Sequence, residues 1–362
     1  MTESNRRNFL KGSSAAAVVA ASFPNGVHAQ GNDESKDALI ASPPTPVRSR
    51  PGSTRAQKDI PNSTPLSSDL SIWQSKGRYL EILGRKIFVV TAGDERAPPL
   101  LILHGFPTFS FDFAKALPLL ARHFYVVVHD QPGFGLSAKP EDYSYSMIEQ
   151  AETAIELWRV LGIRAGHLLA HDYGASVATE IVAKRRSGSL PIDLTSLTIC
   201  NASIHLELAH LTMAHRLLRH PKSATFVVKL VDIGMFKRRF LRLCAKPPVT
   251  LTDSDMEILW EGLTRDNGLS RFPQIARYLP ERVSFRHRWI GALQNWERPT
   301  HILWGRADPV AVEEIARRLD DDIPNSQLTF LDGVGHYAML ESPEQWTNAV
   351  VRFLDAVESG NS

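Results

Sequence analysis

The sequence has few of the features that mark disulfide-stabilised, membrane-spanning or metal-binding proteins. It contains 2 cysteines in 362 residues, and because Cys200 closes an apolar run and Cys244 lies in a basic helical stretch, we expect free thiols. No stretch approaches the roughly 20 apolar residues that a membrane-spanning helix requires, so we expect no stable membrane insertion. The histidines show no HExxH or comparable ligand spacing, so we predict no metal and no other cofactor.

The charge of the chain is nearly balanced, because 41 Lys and Arg residues face 39 Asp and Glu residues. A formal net charge of +2 gives no electrostatic footprint for nucleic acid, and no C2H2, RNP or basic-helix pattern is present. We therefore predict no nucleic-acid partner. With 43% hydrophobic residues, the chain can bury a large core and hold one large domain plus an insertion.

The beginning of the chain is typical of an exported protein. Arg6 and Arg7 precede a run of small apolar residues that ends in a VHA cleavage pattern, which predicts a twin-arginine signal peptide over residues 1–29. We therefore expect a mature protein in the periplasm or outside the cell. Residues 30–68 are rich in Ser, Pro, Thr and charges, and they are almost free of aromatic residues, which predicts a disordered linker.

From residue 69 onwards, short apolar runs alternate with helical patterns. Two β-rich runs separated by Gly84 predict a hairpin over Arg78–Gly93. Six further strands are predicted, at Leu100–His104, Tyr125–His129, Ala165–Ala170, Leu194–Cys200, Thr300–Trp304 and Gln327–Leu331. Helical periodicity occurs between them, at Ser146–Leu161, Ala175–Arg186, Val312–Leu319 and Pro343–Ala356. This alternation predicts an α/β fold with a mostly parallel sheet that helices cover on both faces.

One interval interrupts the alternation, because residues 203–298 contain no convincing strand. Their helical stretches include LELAHLTMAHRLLRH and SDMEILWEGL, with prolines as punctuation. We predict a helical cap over residues 203–298, inserted into a core made of residues 69–202 and 299–357. The basic stretch at residues 215–246 is interpreted as a solvated helical face in preference to an attachment surface for anionic lipid.

The stretch LLAHDYGASVA combines a strand end, a sharp turn and a helix start. Asp172 stands at the turn, and the small residues Gly174 and Ala175 allow the backbone to bend. Reactive groups of open parallel sheets collect at the carboxyl ends of strands, so the pattern predicts a nucleophile elbow, although an Asp here can also cap a helix. A carboxylate is ionised at neutral pH and attacks an alkyl carbon without a base. Epoxides and alkyl halides fit, through an alkyl-enzyme ester.

Hydrolysis of such an ester requires a base and stabilisation of an oxyanion. His336 in GVGHY follows the last predicted strand and can deprotonate water. Asp308 in GRADPV would orient its imidazole, in the chain order nucleophile, acid, histidine. Some such enzymes place the acid after an earlier strand, but Asn201 occupies that position. The backbone N–H groups of Phe106, in HGFP, and of Tyr173 are predicted to form the oxyanion hole.

Taken together, HGFP, HDQPGFGLSAKP, HDYGAS, GRADPV and GVGHY resemble the epoxide hydrolase and haloalkane dehalogenase branch of the α/β-hydrolase superfamily. The stretches HGFPTFSFDF, YSYSMIEQA, LLAHDYGASVA and FRHRWIGAL are more closely similar to the mesoderm-specific transcript group of hydrolase-like proteins. The resemblance covers residues 78–357. It implies an α/β-hydrolase fold, Asp172 as nucleophile with Asp308 and His336 as charge partners, and the oxyanion donors named above.

The leaving group separates the two reactions of this branch. Its epoxide hydrolases usually protonate the departing oxygen with two cap tyrosines, whereas the cap here contains one, Tyr278. Its dehalogenases commonly bind the halide with a Trp after the nucleophile and an Asn in an HGNP loop, positions that Tyr173 and Phe106 occupy here, although cap tryptophans remain available. We predict hydrolysis of a small apolar epoxide to a vicinal diol, with Tyr278 as the leaving-group acid. Haloalkane dehalogenation is the alternative, and a catalytically silent binding protein is the alternative of another class.

Overall fold

The computed structural model describes residues 65–211, 221–245 and 250–360. Both the predicted signal peptide and the predicted linker up to residue 64 lie outside these residues. Within them the chain forms one sheet with helices on both sides and a group of helices between two of its strands. None of the described helices combines the length and the apolar composition needed to cross a membrane.

The sheet contains 8 strands: β1 Gly77–Ile82, β2 Arg85–Ala92, β3 Pro99–Leu103, β4 Tyr125–His129, β5 Ala165–His171, β6 Asp193–Cys200, β7 Thr300–Gly305 and β8 Ser326–Leu331. Their order across the sheet is β1-β2-β4-β3-β5-β6-β7-β8. Strand β2 pairs antiparallel with β1 and β4, and the other pairs are parallel. The predicted mostly parallel sheet is confirmed, and strands such as β4 and β7 are buried along their whole length, as their continuous apolar sequences require.

The described helices are α1 Ser68–Ser75, α2 Leu117–Leu120, α3 Met147–Val160, α4 Tyr173–Arg186, α5 Pro221–Val228, α6 Ile233–Leu243, α7 Asp253–Thr264, α8 Phe272–Ile275, α9 Tyr278–Ser284, α10 Arg286–Gln294, α11 Glu313–Asp322, α12 Ala338–Glu341 and α13 Pro343–Glu358, with 3-10 helices at Ser110–Phe113 and Arg265–Arg271. The four helices predicted between strands are present as α3, α4, α11 and α13. Helix α3 begins after Ser146, whose side chain accepts a hydrogen bond from the backbone N–H of Glu149.

Helix α1 was not predicted, because its sequence SDLSIWQS continues the Ser-rich composition of the linker. Its Leu70 and Trp73 are nevertheless buried, at 0% and 2% exposure. The indole N–H of Trp73 donates to the hydroxyl of Ser110 at 3.3 Å, and its ring meets the ring of Phe111 edge-on at 5.4 Å. Tertiary packing therefore orders a helix that begins at the predicted boundary between the linker and the core.

Between β6 and β7 the chain forms helices α5 to α10, and the described residues of this cap contain no strand. The helical prediction for LELAHLTMAHRLLRH was wrong in its described part, because residues 206–211 form turns and the remainder lies outside the described residues. Buried His205 lies 3.0 Å from Glu207 and 2.8 Å from Asp322 of α11. The contact with Asp322 ties this segment to α11, and the chain there does not form the helix that local periodicity favoured.

Candidate active site

The sharp turn between β5 and α4 consists of Asp172 alone, because β5 ends at His171 and α4 begins at Tyr173. Asp172 has φ 45° and ψ −108°, a strained backbone conformation for a residue other than glycine. Gly174 is required next to it, since a Cβ there would lie 2.5 Å from the backbone oxygen of Leu103. The Asp172 side chain makes no hydrogen bond to the first turn of α4, so it does not cap that helix.

The carboxylate of Asp172 is buried, and the backbone N–H of Phe106 donates to its Oδ2 atom at 2.9 Å. Burial alone would raise the pKa of this carboxyl, but the charges of His336, Arg282 and His171 and the N–H of Phe106 hold the pKa below its ordinary value. The carboxylate is therefore ionised at neutral pH. The predicted second donor, the N–H of Tyr173, is the first amide of α4, a position that has no acceptor within its own helix.

The loops after β7 and β8 bring Asp308 and His336 into direct contact. Nδ1 of His336 lies 2.6 Å from Oδ2 of Asp308, whose Oδ1 accepts hydrogen bonds from the N–H groups of Val310 and Ala311. Because an ionised carboxylate only accepts, Nδ1 carries a proton and Nε2 is the nitrogen available for proton exchange. Burial would lower the pKa of His336, but the charges of Asp308 and Asp172 raise it to about 9.

A cluster of aromatic side chains lies beside Asp172 and includes Phe106, whose N–H binds the carboxylate, and the adjacent residue Tyr173. The ring of Phe106 lies 4.9 Å from that of Phe272 and 6.4 Å from that of Phe134. The ring of Tyr173 lies 5.3 Å from that of Phe134 and, edge-on, 5.3 Å from that of Tyr278. Such rings form apolar walls that exclude water, so charges inside them interact strongly.

Tyr278 reaches this site from the cap, at the beginning of α9. Its side chain is buried, and its ring centroid lies 6.0 Å from that of Phe106. Burial raises the pKa of the Tyr278 phenol, the charge of Asp172 raises it further, and Arg282 opposes both effects. The phenol is therefore protonated and can donate a hydrogen bond near Asp172. The structure thus brings all six residues of the predicted site into one region.

Residues 98–343 match the sequence profile of the α/β hydrolase fold family. The chain belongs to this family. The α/β hydrolase described here is 36% identical over 283 residues to the putative hydrolase LipZ of Mycobacterium tuberculosis, a match that covers 78% of this chain and 96% of LipZ. It is 32% identical over 302 residues to the mesoderm-specific transcript homolog protein of Bos taurus, covering 80% of this chain and 89% of that protein.

Solved structures share the fold of this α/β hydrolase. A loop variant of haloalkane dehalogenase DbeA from Bradyrhizobium elkanii superposes with a TM-score of 0.65 at 22% identity, covering 78% of this chain and 97% of the dehalogenase. Epoxide hydrolase CorEH superposes with a TM-score of 0.62 at 19% identity, covering 78% and 99%. The predicted α/β-hydrolase fold is confirmed, and so is the predicted similarity to the mesoderm-specific transcript group.

Asn201 has a position in the site of the hydrolase that the sequence analysis did not foresee. It follows β6 with φ 40°, and its Nδ2 donates to Oδ2 of Asp308 at 2.8 Å. Its Oδ1 accepts the N–H of Gly305 at 2.9 Å. From the sequence, position 201 was notable only because it carries Asn where some related enzymes carry the acid that orients the histidine. The Asn201 amide binds Asp308, which lies in the loop after the neighbouring strand β7, so its position directly after β6 was the available signal.

Further contacts fix the loop that carries His336. The residue before the turn, His171, donates from Nε2 to the backbone oxygen of His336 at 2.9 Å. Glu341 of α12 accepts the backbone N–H groups of Gly335 at 2.9 Å and of Tyr337 at 3.0 Å. Neither His171 nor Tyr337 was predicted to lie in the site, because such contacts join distant parts of the chain.

The two cysteines take no part in the proposed chemistry. Cys200 and Cys244 are both free and buried, and burial raises the pKa of the Cys200 thiol to about 12 and that of Cys244 as well. Neither thiol ionises near neutral pH. Across the described parts of the chain, no group of three or more His, Cys, Asp or Glu side chains is arranged to hold a metal ion.

Proposed function

We propose that this α/β hydrolase opens a small, largely apolar epoxide and releases a vicinal diol, through an ester formed on Asp172. One observation carries the proposal. The Asp172 carboxylate stands on a strained turn with Oδ2 bound to the N–H of Phe106, and the His336–Asp308 pair lies in the same site. This arrangement holds one carboxylate oxygen where an oxyanion would form and leaves Oδ1 for attack on carbon.

In the first step, Oδ1 of Asp172 bonds to an epoxide carbon, and the C–O bond of the ring breaks. The departing oxygen keeps the electron pair as an alkoxide, and Tyr278 donates a hydrogen bond to it. Ester formation removes the negative charge of Asp172, so the pKa of His336 falls from its resting value of about 9. The proton that His336 then loses, relayed through Tyr278, neutralises the alkoxide.

In the second step, the now neutral His336 takes a proton from water, and the water oxygen attacks the ester carbon of Asp172. The tetrahedral oxyanion receives the N–H groups of Phe106 and Tyr173, and loss of one such donor slows reactions of this kind by roughly a hundredfold or more. The alkyl C–O bond of the ester stays intact while the acyl C–O bond breaks. The departing alkoxide takes the proton that the attacking water oxygen still carries, which releases the diol. Asp172 and protonated His336 are restored, so the cycle balances.

Haloalkane dehalogenation is the second candidate, favoured by the dehalogenases among the structural neighbours. A halide requires N–H donors, and because Tyr173 and Phe106 occupy the usual donor positions, cap tryptophans would have to supply them here. The indole N–H of Trp289 donates to Glu180 at 2.8 Å, and Trp260 packs on Phe236 with 5.6 Å between ring centroids. Since Trp289 is committed to a carboxylate, the epoxide remains the preferred substrate class.

A single turnover in H₂¹⁸O tests the covalent step. We expect mass analysis to find ¹⁸O in the peptide that contains Asp172, because water attacks the ester carbon. The His336→Gln variant should accumulate the ester and turn over about 10³-fold more slowly, since it lacks the base. The Asp172→Asn variant is the matched control and should form no ester. Product without label in Asp172 would overturn the mechanism.

A panel of epoxides, haloalkanes and activated esters separates the function classes. We expect the highest kcat/KM with epoxides, and Asp172→Asn should abolish that turnover. Faster turnover of haloalkanes would replace the proposed activity with dehalogenation. Absence of Asp172-dependent turnover throughout the panel would favour the catalytically silent binding protein.

We also propose that the enzyme acts outside the cytoplasm, since Arg6 and Arg7 precede a short apolar run typical of twin-arginine signals. Fractionation of cells that express the full chain should find the protein in the periplasm or the medium. The double variant Arg6→Lys, Arg7→Lys should retain it in the cytoplasm. Equal distribution of both forms would contradict export by this route.

A further inference from the structure

Arg282 of α9 carries a buried positive charge that the proposed mechanism does not yet use. Its side chain is 4% exposed. Nε donates to the hydroxyl of Ser176 at 2.7 Å, and Nη1 donates to the hydroxyl of Ser203 at 2.6 Å. Both acceptors are neutral. Nη2 is buried and has no acceptor among the described residues.

Other arginines of the cap are paired with carboxylates. Arg271 binds Glu141 at 2.6 Å, and Arg288 binds Glu180 at 2.8 Å. Within the described residues, Arg282 makes no such ion pair. A buried guanidinium without a counter-charge is strongly unfavourable, so a negative charge is expected close to Arg282 during the working cycle.

Asp172 is the carboxylate whose charge Arg282 balances in the resting site. Ser176, which binds Arg282, lies one turn after Asp172 on α4. The guanidinium carbon lies 4.6 Å from the ring centroid of Tyr278, one turn earlier on α9. In agreement, the charge of Arg282 contributes to the low pKa of Asp172, after the effects of burial and of His336.

Ester formation moves this negative charge. When Oδ1 of Asp172 bonds to carbon, the bond to the leaving group breaks and that group takes the electron pair. Asp172 becomes neutral, and Arg282 keeps a negative charge close to it only while the new anion stays beside it. A substrate with its own carboxylate would supply a counter-charge in the same way.

We propose that Arg282 forms a subsite for a small monoanion beside Asp172, occupied by the leaving anion or by a carboxylate of the substrate. The inference rests on the proposed ester at Asp172. Arg282 also borders a small cavity that Ser176 and Thr179 of α4 and Arg286 and Trp289 of α10 line, and no carboxylate lines this cavity.

The Asp172→Asn variant tests the subsite without turnover, because a neutral side chain at position 172 reproduces the charge of the ester. We expect bromide or propionate to raise its melting temperature saturably and to give a binding isotherm by calorimetry. Adding Arg282→Met should weaken this binding at least tenfold, and Arg282→Lys should recover part of it. Adding Arg271→Met, which removes a buried but paired cap arginine, should leave anion binding unchanged.

The two probes distinguish the source of the charge. Bromide binding without propionate binding identifies the leaving anion, and propionate binding at least tenfold tighter than bromide identifies a carboxylate of the substrate. Either result supports the subsite. Absence of saturable binding, or binding that survives Arg282→Met, overturns it. Labelling of Asp172 by ¹⁸O is independent of these results, so failure of the subsite and failure of the covalent mechanism can be told apart.

Discussion

The sheet core and the helical cap approach Asp172 from different sides and offer different kinds of group. The core places backbone N–H groups and a fixed acid–histidine pair, all on short loops at the carboxyl ends of strands. The cap places long side chains, Tyr278 and Arg282, from one turn of a single helix. The groups of the core are held by the backbone in a fixed geometry, which suits the making of the bond between enzyme and substrate. The side chains of the cap can be replaced by mutation without changing the core, so they can adapt to different leaving groups.

Among substitutions that test this difference between core and cap, we expect the largest change in kcat at Tyr278 of the cap. Tyr278→Phe removes the donor to the departing oxygen but keeps the ring that packs on Tyr173. We expect kcat for an epoxide to fall about a hundredfold, the lower range for loss of an acid catalyst. Turnover of a haloalkane should change much less, because halide leaves without a proton. Equal losses on both substrates would mean that Tyr278 shapes the site without donating.

A smaller effect is expected in the core, at Asn201. Asn201→Ala removes the N–H donor to Asp308 and the acceptor for Gly305. Loss of a hydrogen bond to a charged group costs about 1.5–3 kcal/mol, so we expect kcat to fall by about tenfold or more. Steady-state kinetics with Asn201→Asp as a companion variant measure this. Unchanged kcat in Asn201→Ala would show that the contacts of Val310 and Ala311 suffice to hold Asp308.

The pH dependence of stability reports the charge of the histidine in the core. The pKa of His336 is raised from 6.5 to about 9, so its charged form stabilises the folded protein fully below pH 6.5. This contribution is lost as the pH rises from 6.5 through about 9, with a slope of at most about 1.4 kcal/mol per pH unit. Groups that face His336 are Asp308, Asp172, Glu341 and His171. Urea unfolding of His336→Gln should lack this decline; an identical decline would place its origin elsewhere.

The smallest effects compare helix caps in the two regions. Ser146 caps α3 in the core, and Thr252 caps α7 in the inserted layer with a capping box to Asp255. Replacing either by Ala should cost about 1 kcal/mol. If core and cap unfold together, both variants shift one transition equally. A separate early transition in Thr252→Ala alone would show that the cap melts independently.

Sequence patterns predicted the part of the site that depends on chain order. Strand β5, the turn at Asp172 and the helix after it are local features, and the pattern located them within two residues. Asp308 and His336 follow predicted strands, so their meeting at the sheet edge was foreseeable. The fold followed for the same reason, because continuous apolar runs separated by helices permit few other arrangements.

The remaining features depend on contacts between distant residues. Arg282 is conspicuous only because its neighbours are Ser176 and Ser203 instead of a carboxylate, which no spacing reveals. Asn201 matters through Asp308, and helix α1 exists because Trp73 is buried against Ser110. After His205, which contacts Asp322 of α11, the chain forms a turn despite a good helical period.

The absence of a side-chain cap at the N-terminus of α4 has a consequence for the proposed reaction. Asp172 precedes this helix without a hydrogen bond to its first turn, so its first amides, including that of Tyr173, have no side-chain acceptor from the residue that usually supplies one. The oxyanion formed during ester hydrolysis would supply that acceptor, at the positive end of the helix dipole. The first amides of α4 would thus have an acceptor while the high-energy tetrahedral oxyanion exists. They would lose this acceptor again once the product has formed.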